Sequence, residues 1–336
     1  PEADGAQVLY SNSSLTLEGV TVDVKGEDIY GIVTNGTNVK NAIALKNSTL
    51  NVPNGNGIYF PSSGTLTIDN STINAKTMGV QVCAGSLSIN AGSAITVIGD
   101  AVPKTENDGA IQDGAAISIV NRTGYKGLGD VTVTGGKFTA KAGNKAIKAY
   151  DWANKTETEF TAAEKVAVSG GTFSSAVPEG LCATGYIPVA NGDGTHTVKE
   201  GVYAAQIGDV KYETLQAAIN AANAGDTVKL LRDINTPDIS YMISKSLTID
   251  LNGMTVTGSG YDAVFQIDNA DAKVVIKNGK VVAVEQSGSA GKYTMAIWAS
   301  KAGCEVTLEG LDVSQKITHT DDPQMDMIYA SGGTIT

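Results

Sequence analysis

The segment HTDDPQMD, near the end of the chain, gathers side chains that could perform acid–base chemistry or hold a cation. It contains His319, Asp321, Asp322 and Asp326 within a long polar insertion. Paired carboxylates can act as general acid and general base, and they can also bind Ca²⁺. Adjacent aspartates on a polar loop are more often solvated, so these four residues are candidates for catalysis and not an assigned catalytic site.

Two aromatic pairs could bind a flat apolar ligand surface, such as one face of a sugar ring. Tyr150 and Trp152 lie in KAYDWANKTE, and Tyr293 and Trp298 lie in KYTMAIWAS. Strand alternation places Trp298 and Ile297 on opposite sides, so one of the two must face inward. A role in the core or at a corner is the competing interpretation for each tryptophan. The insertion at 99–115 is a further candidate recognition loop.

The remaining charged residues point to little chemistry. Arg122 and Arg232 are the only arginines, so an anionic ligand would be held mainly by lysines. Arg232 is interpreted as a surface charge that pairs with Asp233. No D-x-D-x-D-G run with a distal Glu is present, so no metal site and no cofactor are predicted, with Ca²⁺ the one ion left open. Three further aspartates are interpreted as turn residues: Asp193, Asp268 and Asp271.

Charge and cysteine content restrict the partners. A net charge of −11 gives no basic surface for phosphate groups, so nucleic acid is excluded as a partner. No run approaches the roughly 20 apolar residues of a membrane span, and no signal peptide is visible. The three cysteines, Cys83, Cys182 and Cys304, are widely spaced and are interpreted as buried apolar side chains.

The elements that must position these residues are short strands in a repeated unit. Each unit has an apolar-x-apolar strand, then a Gly or Asn, then a second strand. Units of the first half are SLTLEGVTV, AIALKNSTLNV, TLTIDNSTINA, SLSINAGSAITV, DVTVTGGKFTA and KVAVSGGTFSS; those of the second half are SLTIDLNGMTV, KVVIKNGKVVAV and EVTLEGLDV. The predicted bend residues are Gly19, Asn47, Asn70, Gly92, Gly135 and Gly170, then Gly253, Gly279 and Gly310. A bend there needs a left-handed backbone, which Gly and Asn tolerate.

Repeats of this length predict a solenoid, because one unit cannot bury its apolar face alone. Steps of about 22 residues are too short for propeller blades, and the leucine-rich signature is missing. We therefore predict an all-β fold, a right-handed parallel β-helix in two tandem units.

One helix interrupts the strands. Leu215, Ala218, Ile219 and Ala222 form an apolar stripe, and Gly225 is a suitable stop. We expect this helix to cap the open end of the second β-helix, since an uncovered end invites aggregation. Two hairpins, YIPVANGDGTHTV and YAAQIGDVKY, are predicted just before it. The expected domains are residues 1–178 (first β-helix), 179–210 (hairpin closure and linker) and 211–336 (cap helix and second β-helix), with both chain ends expected to be truncated.

The stretches SGGTFSSAVPEGLCATGYIPVANGDGTHTV, AQIGDVKYETLQAAINAANAGDTVKLLRDI and SLTIDLNGMTV resemble the repetitive pectate-lyase-like β-helix modules of large surface proteins from gut bacteria. The resemblance covers most of the chain and implies a right-handed β-helix at the cell surface or outside the cell. It implies no reaction, and no catalytic residues carry over. Polygalacturonase-like enzymes of this fold pair aspartates with a histidine, but their Gly-His-Gly and Arg-x-Lys companions are absent here.

Three functions therefore remain open. The leading hypothesis is a non-enzymatic surface module, an adhesin or stalk whose partner is a polysaccharide or a host surface glycoprotein. The alternatives are a carbohydrate-active enzyme, either a polysaccharide lyase or a glycoside hydrolase, and a structural spacer without a ligand.

Overall fold

The computed structural model describes residues 2–3, 14–34, 36–258, 263–285, 294–316 and 326–336, and these residues form mainly β-strands. Within those ranges the helices are one α-helix, Leu215–Ala221, and two 3-10 helices, Ala163–Lys165 and Glu179–Leu181. Helices of membrane-spanning length and hydropathy are absent from the described residues. The contacts divide the chain into two compact units, Pro1–Gly201 and Val202–Thr336.

The first unit contains three sheets, here named A, B and C. Sheet A contains Glu2–Ala3, Thr21–Val24, Thr49–Val52, Thr72–Ala75, Ala94–Val97, Lys137–Thr139, Thr172–Phe173, His196–Glu200 and Tyr186–Ala190. Sheet B contains Ser14–Glu18, Ala42–Lys46, Thr65–Asp69, Gly85–Ile89, Leu128–Val133 and Val166–Val168. Sheet C contains Tyr30–Val33, Asn56–Phe60, Met78–Val82, Ile117–Arg122, Ile147–Ala153 and Thr156–Thr158.

The chain visits the three sheets in a fixed order. Thr65–Asp69 in sheet B leads to Thr72–Ala75 in sheet A and then to Met78–Val82 in sheet C, after which the next strand returns to sheet B. Neighbouring strands are parallel except in the hairpins and where His196–Glu200 pairs with Thr172–Phe173. This succession, with parallel pairing between turns of the chain, is consistent with a β-solenoid.

The core of the first unit is built from columns of apolar side chains in register. In sheet A, one column contains Val22, Leu50, Ile73, Ile95, Phe138 and Phe173. All six side chains are buried, and the rings of Phe138 and Phe173 are 4.9 Å apart. Burial of such columns is the main driving force for the fold, because no single coil can shield its own apolar face.

The bends after the sheet B strands use left-handed residues, as the sequence predicts. Asn47 and Asn70 have φ values of 48° and 44°, and Gly19 and Gly92 have values of 65° and 85°. The Asn70 amide Nδ2 donates to Asn47 Oδ1 at 2.7 Å, so the two bends also bond to each other. Gly253 and Gly310 in the second unit are left-handed as well.

The prediction is wrong for three bends. The residue with positive φ is the neighbour of the predicted glycine: Gly136 instead of Gly135, Gly171 instead of Gly170, and Asn278 instead of Gly279. The predicted glycines are needed for space. A Cβ on Gly170 would lie 2.3 Å from the Thr134 carbonyl oxygen, and one on Gly279 would lie 2.5 Å from Leu251 Cβ.

Polar side chains on the outer face of sheet A also stack in register. Asn51 Nδ2 donates to Asp23 Oδ1 at 2.7 Å, and Asn74 Nδ2 donates to Asn51 Oδ1 at 2.8 Å. The Asn51 amide thus donates to the strand on one side and accepts from the strand on the other, which fixes the register of three strands.

Sheet C contains a column of glycines, named here the glycine column: Gly31, Gly57 and Gly79, with Ala116 directly before the next strand, Ile117–Arg122. A Cβ on Gly57 would lie 2.1 Å from the Gly79 carbonyl oxygen, and one on Gly79 would lie 2.3 Å from the Ala116 carbonyl oxygen. The sheet C strands therefore approach each other and the sheet A side chains too closely for any side chain at these positions.

The second unit contains two sheets, here named D and E. Sheet D contains Val210–Tyr212, Ala205–Ile207, Thr227–Leu230, Leu247–Asp250, Lys273–Val284, Thr255–Gly258 and Ile234–Thr236, with Glu305–Lys316 and Thr334–Ile335 beside Lys273–Val284. Sheet E contains Tyr241–Ile243, Ala263–Ile267, Met295–Ala299 and Ile328–Ala330, all parallel. The strands Lys273–Val284 and Glu305–Lys316 are each continuous over twelve residues. In these two coils the strand therefore continues through the left-handed bends at Asn278 and Gly310.

The helix Leu215–Ala221 belongs to the second unit, in the predicted region but shorter than the predicted stripe. Thr214 caps its start by accepting a hydrogen bond from the Ala217 amide at 3.1 Å. Leu215 and Ile219 are buried in the core of this unit. Gln216 bonds to both the amide and the carbonyl of Met242, each at 3.2 Å, so the helix satisfies backbone groups of an edge strand.

Both predicted hairpins are confirmed as antiparallel pairs. Tyr186–Ala190 pairs with His196–Glu200, which continues sheet A antiparallel to Thr172–Phe173. Ala205–Ile207 pairs with Val210–Tyr212 and with the first parallel strand of sheet D. The division between Gly201 and Val202 falls between the two hairpins.

Candidate functional site

The acidic insertion yields no site within the described residues. His319, Asp321 and Asp322 lie outside the described residues, and Asp326 is exposed just before the strand Ile328–Ala330. In the described part of the chain, no group of three or more His, Cys, Asp or Glu side chains could hold a metal ion. The assignment of catalysis to this segment therefore stays a prediction.

The first aromatic pair does not form an exposed platform. Tyr150 is 2% exposed and Trp152 is 7% exposed, because both side chains are covered on the outer face of sheet C. The Tyr150 hydroxyl donates to Asp113 Oδ2 at 2.8 Å, and Lys148 Nζ lies 4.8 Å from the centre of the Tyr150 ring. Both side chains are thus buried, and the assignment of ligand binding to them stays a prediction.

The second aromatic pair is only partly described, because Tyr293 lies outside the described residues. Trp298 is half-buried and faces outward, whereas Ile297 is fully buried. Trp298 instead pairs with Tyr329, whose ring centre is 6.3 Å away at a tilt of 37°. The indole Nε1 donates to Ser331 Oγ at 3.0 Å, which holds the ring in place.

Trp298 and Tyr329 belong to a row across sheet E, here named the outer ladder: Met242, Gln266, Trp298 and Tyr329 occupy paired positions on four successive strands. Met242 and Tyr329 are each 38% exposed, and the other two are half-buried. Strands in a sheet are about 4.8 Å apart, so the ladder extends for roughly 14 Å. It presents apolar and aromatic surface together with one amide that can donate and accept.

The strongest polar cluster of the first unit lies under the insertion at 99–115, here named the 99–115 loop, where it covers sheet C. Asp113 is buried and accepts hydrogen bonds from Ser118 Oγ at 2.7 Å, Tyr150 OH at 2.8 Å and the Ala115 amide at 3.1 Å. Burial raises the pKa of this carboxyl group, and the hydrogen bonds oppose that effect only in part. Asp113 thus ties the end of the loop to two strands.

Arg122 holds the middle of the same loop. Its side chain is 3% exposed, and its guanidinium donates to the carbonyl oxygens of Gly109 and Asn107 and to the Tyr59 hydroxyl at 3.2 Å. The Tyr59 hydroxyl is 3.0 Å from that of Tyr125. The planar, multiply donating guanidinium suits this task, since it satisfies several buried carbonyl groups at once.

Gln81 supplies the third anchor. It donates to the Ile111 carbonyl at 2.7 Å and accepts from the Ile111 amide at 2.9 Å, so it pairs with the loop backbone as a strand would. Cys83 is fully buried beside this group, and burial raises the pKa of its thiol to about 12. Sequence reasoning missed these anchors, although Gln81 and Arg122 interrupt the apolar strands MGVQV and ISIVNR.

The other charged residues behave as turn or surface groups. Arg232 donates to the Asp233 carbonyl oxygen at 3.5 Å, so the expected pairing with the Asp233 carboxylate is wrong; that carboxylate accepts from the Thr255 amide at 2.8 Å. Asp193 accepts from the Thr195 amide and hydroxyl in the hairpin turn.

The three thiols are free, as expected, but only two of them are buried. Cys83 and Cys304 are buried, whereas Cys182 is half-buried. Its partial burial raises the pKa of the Cys182 thiol to about 11.

Comparisons with family models, with curated proteins and with solved structures found no match to this chain.

Proposed function

We propose that this chain is a non-enzymatic, extracellular or cell-surface module of gut-bacterial type that binds glycans through the outer ladder. The proposed architecture is two right-handed parallel β-helices in tandem, acting as an adhesin or stalk. Parallel sheets visited in a fixed order support the β-helix, and the resemblance of the repeats supports the location.

One observation carries the binding proposal: Trp298 and Tyr329 lie next to each other, in register, on the outer face of sheet E. Aromatic rings pack well against the apolar face of a pyranose ring while their polar edges stay solvated. Gln266 lies beside Trp298 in the same row and offers an amide to sugar hydroxyls. The roughly 14 Å row matches an extended chain of a few sugar units better than a single small ligand.

The Trp298 side chain is also held in position before any ligand binds. The hydrogen bond from Trp298 to Ser331 fixes the indole. Ile297 and Ala299, which point to the opposite side of the same strand, are buried in the core. A ring held on a rigid strand loses little conformational freedom when a ligand binds. A linear neutral glycan laid across the strands is the ligand class that this surface favours.

Glycan-array binding of the full chain tests the proposal. We expect binding to neutral linear glycans, a change in tryptophan fluorescence on binding, and loss of at least tenfold in affinity for Trp298→Ala. Trp298→Phe keeps an aromatic face and serves as the matched control, with a much smaller loss. If no glycan binds, the spacer hypothesis replaces this one; if Trp298→Ala binds as well as the wild type, the outer ladder is not the site.

A further inference from the structure

The first unit contains a cleft of about 230 Å³ between the 99–115 loop and the first strand of sheet C. Its lining combines the ring of Tyr30, an apolar edge formed by Val102 and Pro103, and the polar side chains of Lys104 and Glu106. Tyr30 and Lys104 are half-buried, while Glu106 is exposed. The cleft is built from residues that take no part in the outer ladder, which belongs to the second unit.

The walls of the cleft are fixed before any ligand arrives. The loop is closed on itself by a hydrogen bond from the Val102 amide to the Gln112 carbonyl at 2.7 Å. The loop is held on sheet C by the hydrogen bonds of Arg122, Gln81 and Asp113 described above. Ala110, which is buried, lines the cleft together with Tyr30. A preformed cleft avoids the cost of ordering a loop on binding.

One cation in the lining of the cleft has no partner among the described residues. Lys104 makes no hydrogen bond or ion pair with any other described residue. The ammonium lies near Gly109, since a Cβ built on that glycine would be 3.4 Å from Lys104 Nζ. The Gly109 carbonyl oxygen accepts a hydrogen bond from the buried Arg122. Burial, and then the nearby Arg122, lower the pKa of Lys104, while Glu106 and Asp108 act in the opposite direction. A negatively charged ligand group beside Lys104 would offset both effects.

We propose that this cleft binds an acidic sugar unit. The Lys104 ammonium would pair with a carboxylate or sulfate group, Tyr30 would pack against the ring, and Glu106 would accept hydrogen bonds from hydroxyl groups. A ligand with one negative charge and several hydroxyl donors satisfies all three groups. A polyanion such as nucleic acid does not, because a chain of net charge −11 with one free ammonium here repels it.

Isothermal titration of the full chain tests this site with defined probes. The acidic probes are methyl galacturonide, methyl N-acetylneuraminide and galactose 6-sulfate, and methyl galactoside is the neutral probe. We expect at least one acidic probe to bind, with an affinity that falls as salt is added. Lys104→Gln should weaken that binding about tenfold or more, since a charge-assisted hydrogen bond is lost. The carboxylate and sulfate arms identify which anionic group the site prefers.

Two controls separate this site from general charge effects and from the outer ladder. Lys165→Gln removes the same charge from an exposed position of the same unit and should leave the affinity unchanged. Trp298→Ala should also leave it unchanged. The proposal is overturned if no acidic probe binds, if methyl galactoside binds as tightly as the acidic probes, or if Lys165→Gln weakens binding as much as Lys104→Gln.

Discussion

Replacement of Gly79 by alanine tests the glycine column directly. Gly79 does not have a positive φ, so alanine introduces no backbone strain, and any loss of stability must come from lack of space. The added Cβ would lie 2.3 Å from the Ala116 carbonyl oxygen and 2.5 Å from Ile95 Cγ2. Contacts of Cβ below 3.0 Å essentially do not occur, so a strand must move by about 0.7 Å, the difference between 3.0 and 2.3 Å.

Such overpacking typically costs about 1 to 3 kcal/mol in the free energy of unfolding. We expect the upper end of that range, because a backbone carbonyl and a side chain of sheet A would have to move together. A shift of a strand also disturbs its parallel hydrogen bonds on both sides, which cannot rotate away as a flexible side chain could.

Denaturant unfolding followed by tryptophan fluorescence measures this cost. The chain has two tryptophans, so a Trp298→Phe background leaves Trp152 as a reporter of the first unit. Gly180→Ala is the matched control, since its Cβ would meet nothing within 4 Å and its φ is not positive. We expect the control to be neutral or slightly stabilising. A Gly79→Ala protein within 0.5 kcal/mol of its background would refute the packing argument.

Three further predictions concern buried or stacked polar groups. The pKa of Asp113 is raised in the folded protein, so the wild type should lose stability relative to Asp113→Asn as the pH rises from about 4. The loss should be about 1.4 kcal/mol in the free energy of unfolding for each pH unit by which the pKa is raised. Denaturant unfolding at several pH values measures this difference, and a gain of stability with rising pH would contradict it. In thiol titration of the native protein, the half-buried Cys182 should react slowly and the buried Cys83 not at all, whereas denaturant should expose every thiol. Asn51→Asp should destabilise the first unit by roughly 1 kcal/mol by placing a carboxylate against Asp23, and added salt should reduce the effect.

The strands, hairpins and helix were predictable because their signals are local. Alternating apolar residues, an Asn-Gly-Asp-Gly turn and the stripe at Leu215 and Ile219 depend only on near neighbours. The left-handed bends at Asn47 and Asn70 follow from the same local logic. Right-handedness and the arrangement as two tandem β-helices remain predictions, because they concern how whole coils stack.

The candidate sites were much less predictable, since they depend on contacts between distant coils. Tyr150 and Trp152 resemble a binding motif in sequence, yet the 99–115 loop lies over their sheet and buries them. Arg122 gave no sign that its partners would be the carbonyl groups of Asn107 and Gly109. Tyr329 was not anticipated as the companion of Trp298, because the two meet only through pairing of strands about thirty residues apart.

The glycine column restricts how a gene for this protein can lengthen. A duplicated coil inserted between those of Gly57 and Gly79 must bring its own glycine to this position of sheet C, because a Cβ there would collide with a neighbouring backbone carbonyl oxygen. None of the four described strands of sheet E contains a glycine. A coil of the second unit would therefore bring a side chain where the coils of Gly57 and Gly79 need a glycine, so the two kinds of coil are not interchangeable at these positions.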